Sequence, residues 1–191
     1  MDAFFVSTSV VALAEIGDKT QLLAFILAAK FRKPVPIIAG ILAATLVNHG
    51  FAGAVGTWIT AMVSPNTLRW VLGVSFIAMA GWTLIPDKFE EKDAKLARLG
   101  VFGTTLIAFF LAEMGDKTQF ATIALAAKYH SFYEVVAGTT MGMMLADVPA
   151  VLLADRIAKR IPVRIVHTIA ALIFAVIGVA TLLGAGAGIG L

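Results

Sequence analysis

The chain has 191 residues, of which 60% are hydrophobic and only 14% charged, with a mean hydropathy of +0.93. Soluble domains average about 25% charged residues, so this composition excludes one and indicates an integral membrane protein. The net charge of +3 is carried by bases lying between apolar runs, which excludes a nucleic-acid surface, and the absence of cysteine excludes disulfides and thiolate metal sites.

A helix needs about 20 residues to cross the hydrocarbon core, and six runs approach or exceed that length. The first covers about Ala3–Ala29. It has no basic leader and reads as a retained helix rather than a cleaved signal. Lys30, Arg32, Lys33, Pro34 and Pro36 end it. The second covers about Val35–Met62 and carries Asn48 and His49 at mid-span; Ser64-Pro65-Asn66 is a turn. The third, about Leu68–Ile85, has no acid and is expected to face lipid. Residues 87–98, DKFEEKDAKLAR, form the only long polar stretch. The fourth run covers about Val101–Ala127. The fifth covers about Tyr133–Leu153, with Asp147 and Pro149 inside it. A basic loop then spans Asp155 to Arg164, the sixth run covers about Ile165–Leu183, and a glycine-rich tail follows.

The two halves repeat at an offset of 98 residues: LAEIGDKTQ becomes LAEMGDKTQ, Leu27-Ala28-Ala29-Lys30 matches Leu125-Ala126-Ala127-Lys128, and Gly40 matches Gly138. With three spans in each half, the second half enters the membrane from the opposite side. The expected fold is an all-α integral membrane protein of six transmembrane helices arranged as two inverted three-helix repeats. Residues 1–86 form the first repeat, 87–98 a cytoplasmic linker and 99–191 the second repeat. Transporters built this way place the substrate at midplane between the repeats. With the N-terminus outside, eleven Lys and Arg fall on cytoplasmic loops and only Arg69 and Lys128 outside, leaving Lys19 and Lys117 within the membrane. The positive-inside rule therefore places both termini on the outer face.

The repeated stretch carries the chemistry. An ionised side chain at bilayer depth costs about 2.5–3.5 kcal/mol, so Glu15, Asp18 and Lys19, with Glu113, Asp116 and Lys117, mark a functional site rather than a packing motif. A spacing of three puts Glu15 and Asp18 on one face of a continuous helix, and Glu113 and Asp116 likewise. If the two spans cross at midplane, four carboxylates meet, and they require either protons or a cation. Such a site exchanges one for the other. Gly17 and Gly115 weaken the helix and would free backbone carbonyls as ligands. Gln21 and Gln119 offer amide oxygens, whereas Thr20 and Thr118 point elsewhere. Lys19 and Lys117, each four residues after a Glu, could pair within the helix, either neutralising it for insertion or taking part in gating and proton coupling.

Other polar residues lie at the same depth. Asp147 reads as a functional acid, with Pro149 distorting its helix. Asn48 reads as an oxygen ligand or an interhelical hydrogen-bond donor. His49, aligned with Asp147 across the repeat, reads as a packing residue, a ligand or a proton carrier. Met141, Met143 and Met144 nearby would favour manganese if a thioether took part, but such stripes also simply pack. Oxygen ligands suit Mg, Ca and Mn and disfavour zinc and copper, without choosing among the first three.

Two Glu-x-Gly-Asp-Lys-Thr motifs, one in each half of a six-span chain, resemble the signature of the Gly-Asp-Thr cation-transporter family, and the length is similar to its short bacterial members, the MneA-type manganese exporters. The resemblance covers nearly the whole chain. The residues themselves argue against an intramembrane enzyme, since Asp18 and Asp116 each have their own Glu and Lys and no His pair exists, and no resident cofactor is expected. The resemblance implies transport of Mn²⁺, with Ca²⁺ as a second ion, in exchange for protons or another ion. It implies that Glu15, Asp18, Glu113 and Asp116 bind the cation. It also implies a multi-pass protein of a bacterial inner membrane whose partners are a divalent ion, protons and the bilayer, with a homo-oligomer left open. The residues alone also admit a Ca²⁺/H⁺ exchanger or a carrier of basic amino acids.

Overall fold

The computed structural model describes residues 2–85, 99–153 and 163–184. It is all-helical. Eight helices occur among the described residues: α1 Asp2–Glu15, α2 Lys19–Phe31, α3 Pro34–Met62, α4 Pro65–Thr83, α5 Gly100–Glu113, α6 Lys117–Tyr129, α7 Phe132–Leu152 and α8 Val163–Leu182. α3 and α7 are each long and apolar enough to cross a bilayer. The linker at 87–98, residues 155–162 of the basic loop, and the tail after Gly184 lie outside the described residues.

The first and fourth apolar runs, expected as single helices, are each two helices joined at the motif. Gly17 and Gly115 adopt φ of 85° and 76°, a left-handed conformation that only glycine takes without strain. Asp18 and Asp116 then turn to extended backbone, with ψ of 170° and 164°, as the N-caps of α2 and α6. Arg32 and His130, again 98 residues apart, close α2 and α6 in the left-handed region at φ 52° and 51°. α4 starts three residues before the expected position because Ser64 caps it, its Oγ accepting the Thr67 N–H at 3.3 Å, with Pro65 in the first turn.

The halves interlock. α1 and α2 run alongside α7, and α3 runs alongside α5 and α6. A Cβ added to Gly138 would lie 2.5 Å from the Phe4 carbonyl and 2.9 Å from Ser7 Cβ; one added to Gly40 would lie 3.0 Å from the Phe102 carbonyl and 2.7 Å from Thr105 Cβ. These are the same contact displaced by 98 residues. Helices in lipid gain no hydrophobic drive from meeting one another, so close backbone approach through small residues holds the interface. α4 packs on α8. Phe76 and its repeat counterpart Phe174 are both buried and stack there at 6.4 Å between centroids. α4 was expected to face lipid, and it does so on one side only: Trp70, Val71, Val74 and Ile77 are exposed, while Leu68, Leu72, Phe76 and Met79 are buried.

Candidate functional site

The two chain breaks meet at the centre of the bundle. Glu15 ends α1 and Asp18 begins α2; Glu113 ends α5 and Asp116 begins α6. All four carboxylates are buried. The expected shared helical face is not what brings Glu15 and Asp18 together, since they belong to different helices. The turn does it, with the Asp18 N–H donating to the Glu15 carbonyl at 3.0 Å and Asp116 to Glu113 likewise at 3.0 Å.

Each break also resets the helical phase, and three sequence expectations change with it. First, Lys19 and Lys117 do not pair with the glutamate four residues back. They cross between the repeats: Lys117 Nζ lies 2.7 Å from Asp18 Oδ1 and Lys19 Nζ 2.9 Å from Asp116 Oδ1. Second, Thr20 and Thr118 point into the site. Thr118 donates to Glu113 Oε2 at 2.7 Å, Thr20 donates to Glu15 Oε1, and Thr20 also reaches Glu113. Third, the Gln21 and Gln119 amide oxygens each accept the N–H of the motif glycine, Gly17 or Gly115, at 2.8 Å, so both glutamines brace the breaks. Gln21 also donates to the Ala146 carbonyl of α7 at 3.1 Å.

Asp147 is fully buried on α7 and neither of its oxygens has a hydrogen-bond partner; Glu15 Oε2 and Glu113 Oε1 are also unpartnered. Glu113, Asp18, Asp147 and Asp116 are the charged neighbours of Glu15, and Glu113 that of Asp147, so the five acids form one electrostatic cluster. His49 is fully buried on α3 with both ring nitrogens unpartnered. Asn48 donates to the Phe110 carbonyl at 3.2 Å, tying α3 to α5. Met143 is buried, Met144 packs against a buried apolar cluster that includes Leu23, Leu27, Ile41 and Phe109, and Met141 faces outward. Among the described residues, no three acids or imidazoles stand close enough to grip an ion in this conformation. The lysine ammonium groups occupy the positions next to Asp18 and Asp116.

Half-helix C-termini and buried carboxylates favour a cation, and Asp18 and Asp116 stand at the N-termini of α2 and α6 as their N-caps. The family model described as "Divalent cation/proton antiporter GDT1" matches the chain twice, over residues 3–91 and 101–188.

The chain belongs to the GDT1 family.

It is accordingly an integral membrane transporter and not an enzyme, and the family's description names divalent cations and protons as what is moved. Among GDT1 relatives, a Vibrio cholerae protein named "Putative manganese exporter" is 48% identical over 182 residues, covering 95% of this chain and 90% of its own. GDT1-like protein sll0615 of Synechocystis is 29% identical, covering 91% and 93%. GDT1-like protein 3 of Arabidopsis thaliana is 30% identical, covering 91% and 68%. No solved structure matches the chain. The residues that sequence reasoning missed in this GDT1 chain are Thr20 and Thr118. Their signal was the glycine itself: a left-handed residue at Gly17 restarts the helix, so a residue five after Glu15 returns to it.

Proposed function

We propose that this chain exports Mn²⁺ from the cytoplasm of a bacterial cell in exchange for protons, through six membrane crossings built from two inverted repeats, 1–86 and 99–191, joined at 87–98. Both termini face the outer side. α1 with α2, and α5 with α6, each make one broken crossing, and the second half repeats the contacts of the first in the opposite sense. The relative named for manganese, at 48% identity, supports this choice of ion.

The observation that carries the reading is the crossed pairing of Lys117 with Asp18 and of Lys19 with Asp116. Each lysine comes from the repeat opposite its aspartate, so the ammonium groups act as stand-in cations that close the site between the halves. An arriving divalent ion competes with them for Asp18 and Asp116 and recruits Glu15, Glu113 and Asp147, whose unpartnered oxygens are available to it. Asn48 can turn its oxygen toward it, Gln21 and Gln119 hold the breaks in place, His49 stands by as a proton acceptor, and Gly17 and Gly115 supply the hinges. Five carboxylates and two ammonium groups leave three formal negative charges. One divalent ion with one retained proton neutralises them, and three protons do so without the ion. The exchange is therefore two protons for each ion. Mn²⁺ uptake into vesicles holding the purified protein, with and without an imposed pH gradient, tests this. Flux that follows the proton gradient supports the reading, and flux indifferent to it rejects proton coupling.

A further inference from the structure

The positive-inside count leaves two bases on the outer face, Arg69 and Lys128. The fold brings them together. Arg69 lies in the first turns of α4 and Lys128 in the last turn of α6, and both line one cleft of about 530 Å³ together with His130, Thr60, Asn66 and Thr181. Among the described residues, no carboxylate lines this cleft. Lys128 Nζ is held by Thr181 Oγ1 at 3.0 Å, whereas Arg69 Nε is buried without a hydrogen-bond partner. A buried guanidinium N–H with no acceptor is costly unless a ligand oxygen meets it.

The cleft continues into an apolar groove. Leu68, Leu72 and Ala127 line both the cleft and a second cavity of about 400 Å³ between α4 and α6, which runs down to Met79, Trp82 and Phe120. From Leu68 to Trp82 the groove follows α4 for about 21 Å at 1.5 Å per residue, longer than the roughly 15 Å depth of one hydrocarbon leaflet. It ends where the Trp82 and Phe120 rings meet at 5.8 Å between centroids. The Phe120 N–H bonds the Asp116 carbonyl, so the groove stops at the first turn after the motif break.

We infer that this is a binding site for an anionic phospholipid. The phosphodiester sits on Arg69, Lys128 and His130, and one acyl chain lies along α4 and α6 to Phe120. Charge selects the headgroup, because two cations in a cleft that no described carboxylate lines favour a net anion over a zwitterion. The apolar groove selects a lipid over a free anion. A lipid seated there fills the seam between α4 and α6, and so reaches the helix that positions Asp116 and Lys117. The inference is independent of the transported ion.

Native mass spectrometry of the purified full chain with dioleoyl phosphatidylglycerol or dioleoyl phosphatidylcholine tests it. The expected result is one retained phosphatidylglycerol per chain in preference to phosphatidylcholine. The double substitution R69Q/K128Q should erase the preference, weakening phosphatidylglycerol by about thirtyfold if each base contributes as near a membrane surface. Ala78 is exposed on the groove wall, so A78F, which plugs the groove with little effect on packing, should weaken retention while leaving the headgroup preference. Equal retention of both lipids, or wild-type retention in R69Q/K128Q, would overturn the headgroup site. Wild-type retention in A78F would overturn the acyl groove. Displacement of phosphatidylglycerol by an equal concentration of inorganic phosphate would reassign the cleft to a free anion.

Discussion

Lys117 and Asp18 lie 99 positions apart in the chain and 2.7 Å apart in the fold, with only 1% of the lysine side chain exposed. Its counterpart Lys19, paired with Asp116 at 2.9 Å, is 25% exposed. The two pairs are related by the sequence repeat but not equally sealed. Removing an aspartate strands its lysine: a sealed ammonium left without a counter-charge costs about 3–5 kcal/mol, whereas one that can reach water costs about 1 kcal/mol or less. D18N, which strands Lys117, should therefore lower the melting temperature of the detergent-solubilised protein well below that of D116N, which strands the more exposed Lys19. The double substitution K117Q/D18N should recover part of the loss. Equal losses in the two single variants would show that the sealing is not as described.

The glycine contacts give a test of the interlocked halves. Alanine at Gly138 would press on the Phe4 carbonyl and at Gly40 on Thr105, each inside 3 Å, so either half-interface must shift. Overpacking of this kind costs about 1–3 kcal/mol. G40A and G138A should both lower thermal stability, whereas G50A and G81A, where an added Cβ meets nothing within 4 Å, should not. Melting curves of the four variants under one detergent condition decide it.

Most of the path from sequence to fold was legible because a repeat reports itself. The offset of 98 that matches AEIGDKTQ to AEMGDKTQ also matches Gly40 to Gly138 and Phe76 to Phe174, and each of these pairs holds equivalent or mutual positions in the structure. What sequence periodicity could not convey was the consequence of one left-handed glycine. Reasoning with 3.6 residues per turn through Gly17 placed Lys19 beside Glu15 and turned Thr20 away. The break reverses both: Thr20 bonds Glu15, and Lys19 crosses to Asp116. Spacing rules hold only within an unbroken helix, and here the acids stand at the break. The lipid-facing reading of the third run failed in part for a different reason: absence of charge does not separate a lipid contact from a helix contact, and α4 makes both.

Charge counting at the site predicts how transport responds to voltage and pH. If two protons replace one Mn²⁺, the cycle moves no net charge. Valinomycin-set potentials across the vesicles should then leave the initial Mn²⁺ flux unchanged at fixed pH. The sign of the pH effect follows from competition: protons occupy the carboxylates that the ion needs, so Mn²⁺ affinity should rise with pH. Where both exchanged protons are bound before the metal, the change approaches about a hundredfold per pH unit. A flux that scales with voltage would require a different proton count.

Gly115 offers a way to separate the hinge from the ligands. Its φ is 76°, and an added Cβ would touch nothing within 4 Å, so substitution acts through backbone strain alone. A non-glycine residue held in the left-handed region costs about 1–2 kcal/mol, and asparagine tolerates it better than alanine. G115A should therefore shift the break toward a straighter helix, draw Asp116 away from Lys19, and lower Mn²⁺ flux with the protein still inserted. G115N should lie between G115A and wild type. E113Q, in contrast, should abolish flux without altering the break, because it removes a carboxylate while keeping the amide oxygen that accepts from Thr118. Flux in G115A equal to wild type would mean that the left-handed turn merely accommodates the site and does not set the distance between Asp116 and Lys19.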